Sequence, residues 1–144
     1  MSAAGTADLV EGAEPEPRRY GPLAQPDFVR YAGASGDFNP IHFNDEFARG
    51  AGFPSVFSQG MLQAGVLASY VTDWLGADTV RRFRVQFREQ VWPGDVLECS
   101  AIIVRRYEAD GETRVDLEVR CARIPASDGG AGGLAITGEA TFVV

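Results

Sequence analysis

The chain contains one histidine, His42, so any acid–base chemistry that requires an imidazole must use this residue. Asp37 precedes it in the segment Ser-Gly-Asp-Phe-Asn-Pro-Ile-His, residues 35–42, where glycine and Asn-Pro favour a tight backbone path. Such a path can bring the carboxylate and the imidazole to one cleft, where the pair could accept and deliver protons on one face of a substrate. The same residues also fit an alternative in which Asp37 caps a turn and His42 is a hydrogen-bonded core side chain.

Composition excludes several other kinds of chemistry. All 13 basic residues are arginine, so Schiff-base lysines and phosphate-loop lysines are absent. The net charge of -7 and the pI near 4.6 argue against nucleic acid as a partner, since phosphate binding needs a concentrated basic face. Attraction to anionic membranes is excluded on the same ground.

The two cysteines, Cys99 and Cys121, lie in apolar, strand-like stretches without Cys-x-x-Cys spacing. We therefore expect buried, reduced thiols rather than a disulfide, a metal site or a nucleophile. Reduced thiols, together with the absence of a membrane-length apolar run or an export signal, predict a cytoplasmic protein.

A length of 144 residues predicts one domain. Residues 1–19 are rich in Ala, Gly, Glu and Pro and offer little apolar surface to bury. We therefore predict a flexible, acidic tail over 1–19 and a single globular domain over 20–144.

Helical patterns come first in the domain. A short helix is expected from Pro26 to Gly33 or Gly36, and a second one after Asn44 as its N-cap. The main helix is predicted over 59–75, and it is apolar on nearly all sides. At about 1.5 Å per residue it is too short to span a bilayer, so other parts of the protein must cover it.

Strand patterns follow. Phe83, Val85 and Phe87 alternate with polar residues, as in a half-buried strand, and two longer strands over 96–107 and 113–123 form a hairpin. A glycine-rich loop over 127–133 precedes a last strand over 134–144. The pattern predicts an α+β fold in which a curled antiparallel sheet covers the long helix, and the sheet edges favour a dimer.

Residues 35–42 resemble the hydratase signature of the MaoC-like, R-specific enoyl-CoA hydratase family. The similarity continues through Gly-Phe-Pro at 52–54 to Gln-Gly-Met-Leu at 59–62, and more loosely from Pro-Gly-Asp at 93–95 to the end of the chain. The resemblance implies a single hotdog fold, a cleft completed at a dimer interface, and a partner that is a second copy or a related hotdog chain.

For the site, the resemblance implies that Asp37 and His42 bind and polarise water, which adds syn to the double bond of an enoyl thioester; dehydration is the reverse. The backbone N–H of Gly60, in the first helical turn, is the expected donor to the thioester oxyanion. No cofactor is expected, because coenzyme A or acyl carrier protein carries the acyl group. Supporting roles are expected for Ser35, Asn39 and Gln59, and acyl contacts for Phe53, Phe57 and Met61.

One departure is plain, since the family usually has His-Gly-Met where this chain has Gln59-Gly60-Met61. Because of that change, an alternative function is that of a catalytically silent subunit in a heteromeric dehydratase. A hotdog thioesterase is a further alternative, for which the long helix offers only Asp73 as a carboxylate. Four arginines of the first strand fit solvated strand faces better than a phosphate site: Arg81, Arg82, Arg84 and Arg88.

Overall fold

The structure is a computed structural model and describes residues 5–126 and 132–144. Short 3₁₀ turns span Thr6–Asp8 and Pro40–His42. The helices are α1 (Gln25–Ser35), α2 (Asp45–Gly50) and α3 (Gly60–Leu75). The strands are β1 (Arg18–Tyr20), β2 (Val80–Phe87), β3 (Val96–Ala109), β4 (Glu112–Ile124) and β5 (Gly133–Val143). They form one antiparallel sheet in the order β1-β3-β4-β5-β2.

Helix α3 is the centre of the fold, as predicted. Leu67 and Val71 are fully buried, and the helix contacts β2, β3, β4 and β5. It ends at Leu75 because Gly76 has a φ of 100°, a value that side-chain-bearing residues rarely adopt. None of the helices within 5–126 and 132–144 combines the length and the apolar character needed to cross a membrane.

The shorter helices also follow the sequence pattern. Helix α1 ends where Gly36 adopts a left-handed φ of 77°. Asn44 caps α2, since its side-chain oxygen accepts a hydrogen bond from the Phe47 N–H at 3.1 Å. These two helices lie on either side of the loop that carries Asp37 and His42.

The inner face of the sheet supplies the rest of the core. Val115, Leu117, Val119 and Cys121 alternate inward along β4 and are all buried, as predicted. Cys99 lies opposite Cys121 in the β3–β4 register, and both thiols are free and buried. The neighbouring Cys121 thiol, together with burial, raises the pKa of Cys99. The burial of both cysteines agrees with the prediction.

Strand β2 is less buried than its pattern predicts. Phe83 and Val85 are half-buried, but the side chain of Phe87 is 55% exposed. Among the described strands β2 pairs only with β5, so its other edge is unpaired.

The prediction of a flexible tail is wrong for residues 5–19. Leu9 is 7% exposed and packs in the core, and the chain then pairs with β3 through bonds from Gly12 N to Ile103 O (2.8 Å) and from Ile103 N to Ala13 O (3.0 Å). One buried leucine and a row of backbone hydrogen bonds hold a segment whose composition gave no such signal. Residues 1–4, and residues 127–131 of the predicted glycine-rich loop, lie outside the described ranges.

Candidate active site

The loop from Ser35 to His42 is held by its own side chains. Ser35 Oγ donates to the Tyr31 carbonyl (2.7 Å) and accepts from the Asp37 N–H (3.2 Å). Asp37 Oδ1 accepts from the Asn39 N–H, and Asn39 Oδ1 accepts from the Ile41 N–H, each at 3.3 Å. Ser35 and Asn39 therefore shape the backbone between the acid and the imidazole, and neither is placed to react.

His42 is oriented by a backbone carbonyl. Its Nδ1 lies 2.8 Å from the Phe57 carbonyl oxygen, and the residue is 7% exposed. A carbonyl can only accept, so Nδ1 carries the proton and the Nε2 of the neutral ring presents a lone pair. The Phe57 ring meets the imidazole edge to face at 5.2 Å, which further restricts its rotation.

The sequence-predicted acid lies beside that lone pair. Asp37 Oδ2 is 3.6 Å from His42 Nε2, and the carboxylate side chain is 46% exposed while that of His42 is 9% exposed. This separation is too long for a direct hydrogen bond. It suits two groups that contact the same water molecule, with the acid on the solvent side and the imidazole on the protein side.

A cavity of about 220 Å³ adjoins the imidazole at the beginning of α3. Gly60 is the first residue of α3, so its N–H has no helical carbonyl to bond. A Cβ on Gly60 would lie 2.9 Å from the Phe87 ring, so only glycine fits under that ring without movement. The cavity is lined by His42, Phe57, Ser58, Gly60, Gln63, Phe87, Arg88, Glu89 and Gln90.

Gln59, which replaces the family histidine, does not line this cavity. It is 1% exposed and is the N-cap residue of α3, although its side chain makes no capping hydrogen bond. Its Nε2 donates instead to the Phe28 carbonyl of α1 at 2.9 Å. Its Oε1 is buried without a hydrogen-bond partner among the described residues. Gln59 thus connects α1 to the beginning of α3, which is a supporting position.

Of the predicted acyl-contacting residues, only Phe57 lines the cavity. Phe53 packs against Phe57 at 4.7 Å between ring centroids, and Met61 is 59% exposed on the outer side of α3. Two buried polar residues that line the cavity, Ser58 and Gln63, were not predicted from the sequence. A glutamine three residues after Gly60, on an otherwise apolar helix, was the signal that could have revealed them.

Of the four arginines considered for phosphate binding, Arg81, Arg82 and Arg84 lie on β2, and Arg88 directly follows this strand. Arg81 pairs with Glu112 at 2.8 Å and, with Arg114, lowers the pKa of that carboxyl to about 2. Arg88 donates to Thr137 at 3.0 Å and also borders the cavity. Arg82 and Arg84 are exposed. Arg88 is thus the one member of the four that reaches the site.

The other carboxylate considered, Asp73, lies in the last turn of α3 and pairs with Arg18 at 2.6 Å. It does not border the cavity beside His42. Within the described ranges, no group of three or more His, Cys, Asp or Glu side chains is placed to hold a metal ion.

Known proteins are similar to this chain in sequence and in architecture. Fatty acid synthase subunit beta of Aspergillus oryzae is 37% identical over 101 residues, which is 67% of this chain and 5% of that protein. The solved structure of the unliganded R-hydratase PhaJ1 of Pseudomonas aeruginosa superposes with a TM-score of 0.79 at 22% identity, covering 96% of this chain and 83% of that one. The structure of the ChsH1–ChsH2 complex of Mycobacterium tuberculosis superposes with a TM-score of 0.76 at 19% sequence identity, covering 94% of this chain and 98% of that one.

The structural likeness establishes a hotdog fold, in agreement with the prediction. At the level of sequence, residues 8–122 match the MaoC-like domain. That match includes the acid–imidazole loop, the beginning of α3 and most of the sheet. The chain therefore belongs to the family of MaoC-like domain proteins, whose members include dehydratases and R-hydratases.

Proposed function

We propose that this protein is a hydro-lyase that adds water to, or removes it from, the α,β double bond of an acyl thioester with R stereochemistry. The observation that carries the proposal is the position of the single imidazole. Its Nδ1 is bonded to the Phe57 carbonyl at 2.8 Å, and its Nε2 is 3.6 Å from Asp37, beside the cavity at Gly60.

In the hydration direction, Asp37 and the Nε2 of His42 hold one water molecule between them. The water oxygen forms a bond to Cβ while one of its protons passes to the dyad, and the dyad returns one proton to Cα on the same face. The electron pair of the double bond moves toward the thioester carbonyl and then to the new Cα–H bond. One molecule of water is added overall, and dehydration runs through the same steps in reverse.

The thioester carbonyl gains negative charge during this reaction. The Gly60 N–H lies at the positive end of α3, has no hydrogen-bond partner among residues 5–126 and 132–144, and can donate to that oxygen. A preorganised donor of this kind lowers the barrier by about 3 kcal/mol. The carrier is proposed to be coenzyme A or acyl carrier protein, outside the cavity, and no further cofactor takes part in these steps.

Two of the alternatives have weaker structural support. A thioesterase using Asp73 would need that carboxylate at the cavity. Asp73 instead lies in the last turn of α3, where it forms an ion pair with Arg18. A silent subunit would have no need for an oriented imidazole next to an acid, whereas both are in place. Because the similar ChsH1–ChsH2 structure is a complex of two chains, the experiment also tests whether activity requires a related partner chain.

The proposal predicts that the purified protein hydrates crotonyl-CoA, measured as loss of the enoyl-thioester absorbance. Asp37→Asn and His42→Gln should each lower kcat/KM by about 100-fold or more, because each removes a proton-transferring group. Asp73→Asn is the matched control and should retain wild-type hydration.

Release of free thiol without loss of the double bond, abolished by Asp73→Asn, would establish the thioesterase instead. Hydration that appears only after mixing with a related hotdog chain, and that survives both Asp37→Asn and His42→Gln in this chain, would identify a silent subunit.

A further inference from the structure

A buried amide that the dyad mechanism does not use lies next to His42. Gln63 is 2% exposed, sits three residues after Gly60 on α3, and lines the same cavity as the imidazole. Burial of an amide is costly unless its groups are hydrogen-bonded, so a glutamine on this apolar helix calls for a partner.

Ser58 satisfies one end of that amide. The Ser58 Oγ–H donates to Gln63 Oε1 at 2.6 Å, a length typical of O–H···O rather than N–H···O hydrogen bonds. The amide oxygen is therefore the end turned toward Ser58. The opposite end, Nε2, has two N–H donors, and no hydrogen bond joins them to any described residue. Nε2 is not one of the fully buried atoms that lack a partner in the described chain, so it is accessible from the cavity that Gln63 lines.

The position of the amide follows from helix geometry. Side chains of a helix lean toward its N-terminus, and the bond to Ser58, which precedes α3, draws the Gln63 amide back to the first turn. The unpaired Nε2 thus belongs to a side chain of the first turn that lines the cavity together with Gly60 and His42.

We propose that Gln63 Nε2 is a second hydrogen-bond donor to the thioester carbonyl oxygen, alongside the Gly60 N–H. This inference rests on the proposed function, since it assigns a residue to the oxygen that becomes negative in that reaction. Two donors held in place before the substrate arrives stabilise the developing enolate without reorganisation. Ser58 is the positioning residue, because it acts only through Gln63.

The test replaces the donor while keeping the size of the side chain. Gln63→Met removes both N–H groups, and Gln63→Glu replaces them with an acceptor oxygen. With crotonyl-CoA, Gln63→Met should lower kcat by about 100-fold, the usual effect of losing one oxyanion donor, while KM changes less than about threefold. Gln63→Glu should lose at least as much.

A spectroscopic readout separates this role from a structural one. Cinnamoyl-CoA, a conjugated thioester, should show a red-shifted absorbance when it binds the wild-type protein, because donors polarise its carbonyl. The red shift should be smaller in Gln63→Met. Ser58→Ala keeps the Gln63 amide but removes the hydrogen bond that positions it, so its kcat and its red shift should lie between those of wild type and Gln63→Met. Asp73→Asn, in the last turn of α3 and away from the cavity, is the control and should behave as wild type.

Wild-type kcat and an unchanged red shift in Gln63→Met would overturn the inference and leave the proposed function intact. A loss confined to KM would overturn it as well, since it would assign Gln63 to ground-state binding. If the wild-type protein hydrates no enoyl thioester, alone or with a related chain, the proposed function fails and this inference fails with it. If Gln63→Met does not fold, the same kcat and red-shift measurements on Gln63→Glu test the inference, and wild-type values would overturn it.

Discussion

At the scale of single residues, the site depends on side chains that are fixed by backbone groups. The Phe57 carbonyl selects the tautomer of His42, and the Phe28 carbonyl holds the amide of Gln59. A family histidine at position 59 could donate to a carbonyl through one ring nitrogen, as the glutamine does here. Gln59 stands where the resemblance leads us to expect histidine; it supplies a donor at the beginning of α3, and its Oε1 is buried without a partner among the described residues.

Tyr70 gives a pH-dependent test of how the N-terminal segment is held. It is 1% exposed, its hydroxyl donates to the Glu16 carbonyl at 3.1 Å, and burial raises its pKa to about 12. Because the folded-state pKa is above the ordinary value near 10, the neutral phenol stabilises the fold below pH 10, and this stabilisation is lost between pH 10 and 12.

We predict that Tyr70→Phe lowers the free energy of unfolding by about 1 kcal/mol at pH 8, because the hydrogen bond is lost. The gap between wild type and variant should narrow as the pH rises above 10. Urea unfolding of wild type and variant at pH 8 and at pH 11.5 measures this difference in free energy. A gap that stays constant from pH 8 to 11.5 would contradict the assigned cause.

At the scale of elements, the apolar helix and the alternating strands were predictable because their patterns repeat over many residues. Helix α3 and the inward face of β4 match the sequence prediction. The assignment of Asp37 and His42 as a dyad rests on the resemblance to the family, because the two residues taken alone are better explained as a turn cap and a core histidine, and it stays a prediction. The pairing of residues 12–13 with β3 was missed, because two residues carry no periodicity.

The junction of β2 and β5 depends on a glycine. Gly138 lies opposite Val85 and Val119, and a Cβ at this position would collide with the Arg84 carbonyl oxygen and crowd both valines. Backbone cannot give way as a flexible side chain can, so the two strands would have to separate.

Gly138→Ala is therefore expected to lower the free energy of unfolding by about 2 kcal/mol. The control is Gly65→Ala on the exposed side of α3, where a Cβ has nothing within 4 Å and alanine should add about 0.5–1 kcal/mol. Urea unfolding of the two variants measures both changes. Equal stability of the two variants would show that the sheet accommodates the methyl group.

At the scale of the whole molecule, one chain leaves apolar surface uncovered near the site. Phe38 is 64% exposed, Met61 59% and Phe87 55%, and the free edge of β2 ends at Phe87. Exposed apolar side chains beside an unpaired strand edge are typical of an interface. We propose that a second hotdog chain, identical or related, covers this surface.

Sedimentation equilibrium of the purified protein should therefore give twice the mass of 15.5 kDa. Phe87→Asp should shift the equilibrium toward the monomer, because a buried unpaired charge is unfavourable at an interface. Val104→Asp, at an exposed valine of β3, is the control and should remain dimeric. A wild-type monomer that becomes a dimer only with a related chain would identify a heteromer.

The solitary imidazole has a practical consequence. Because no other histidine exists in the sequence, every ring signal from a chain labelled at histidine originates beside the cavity. Nuclear magnetic resonance of the His42 ring can thus report the binding of a ligand or of a second protomer without resonance assignment and without any substitution in the chain.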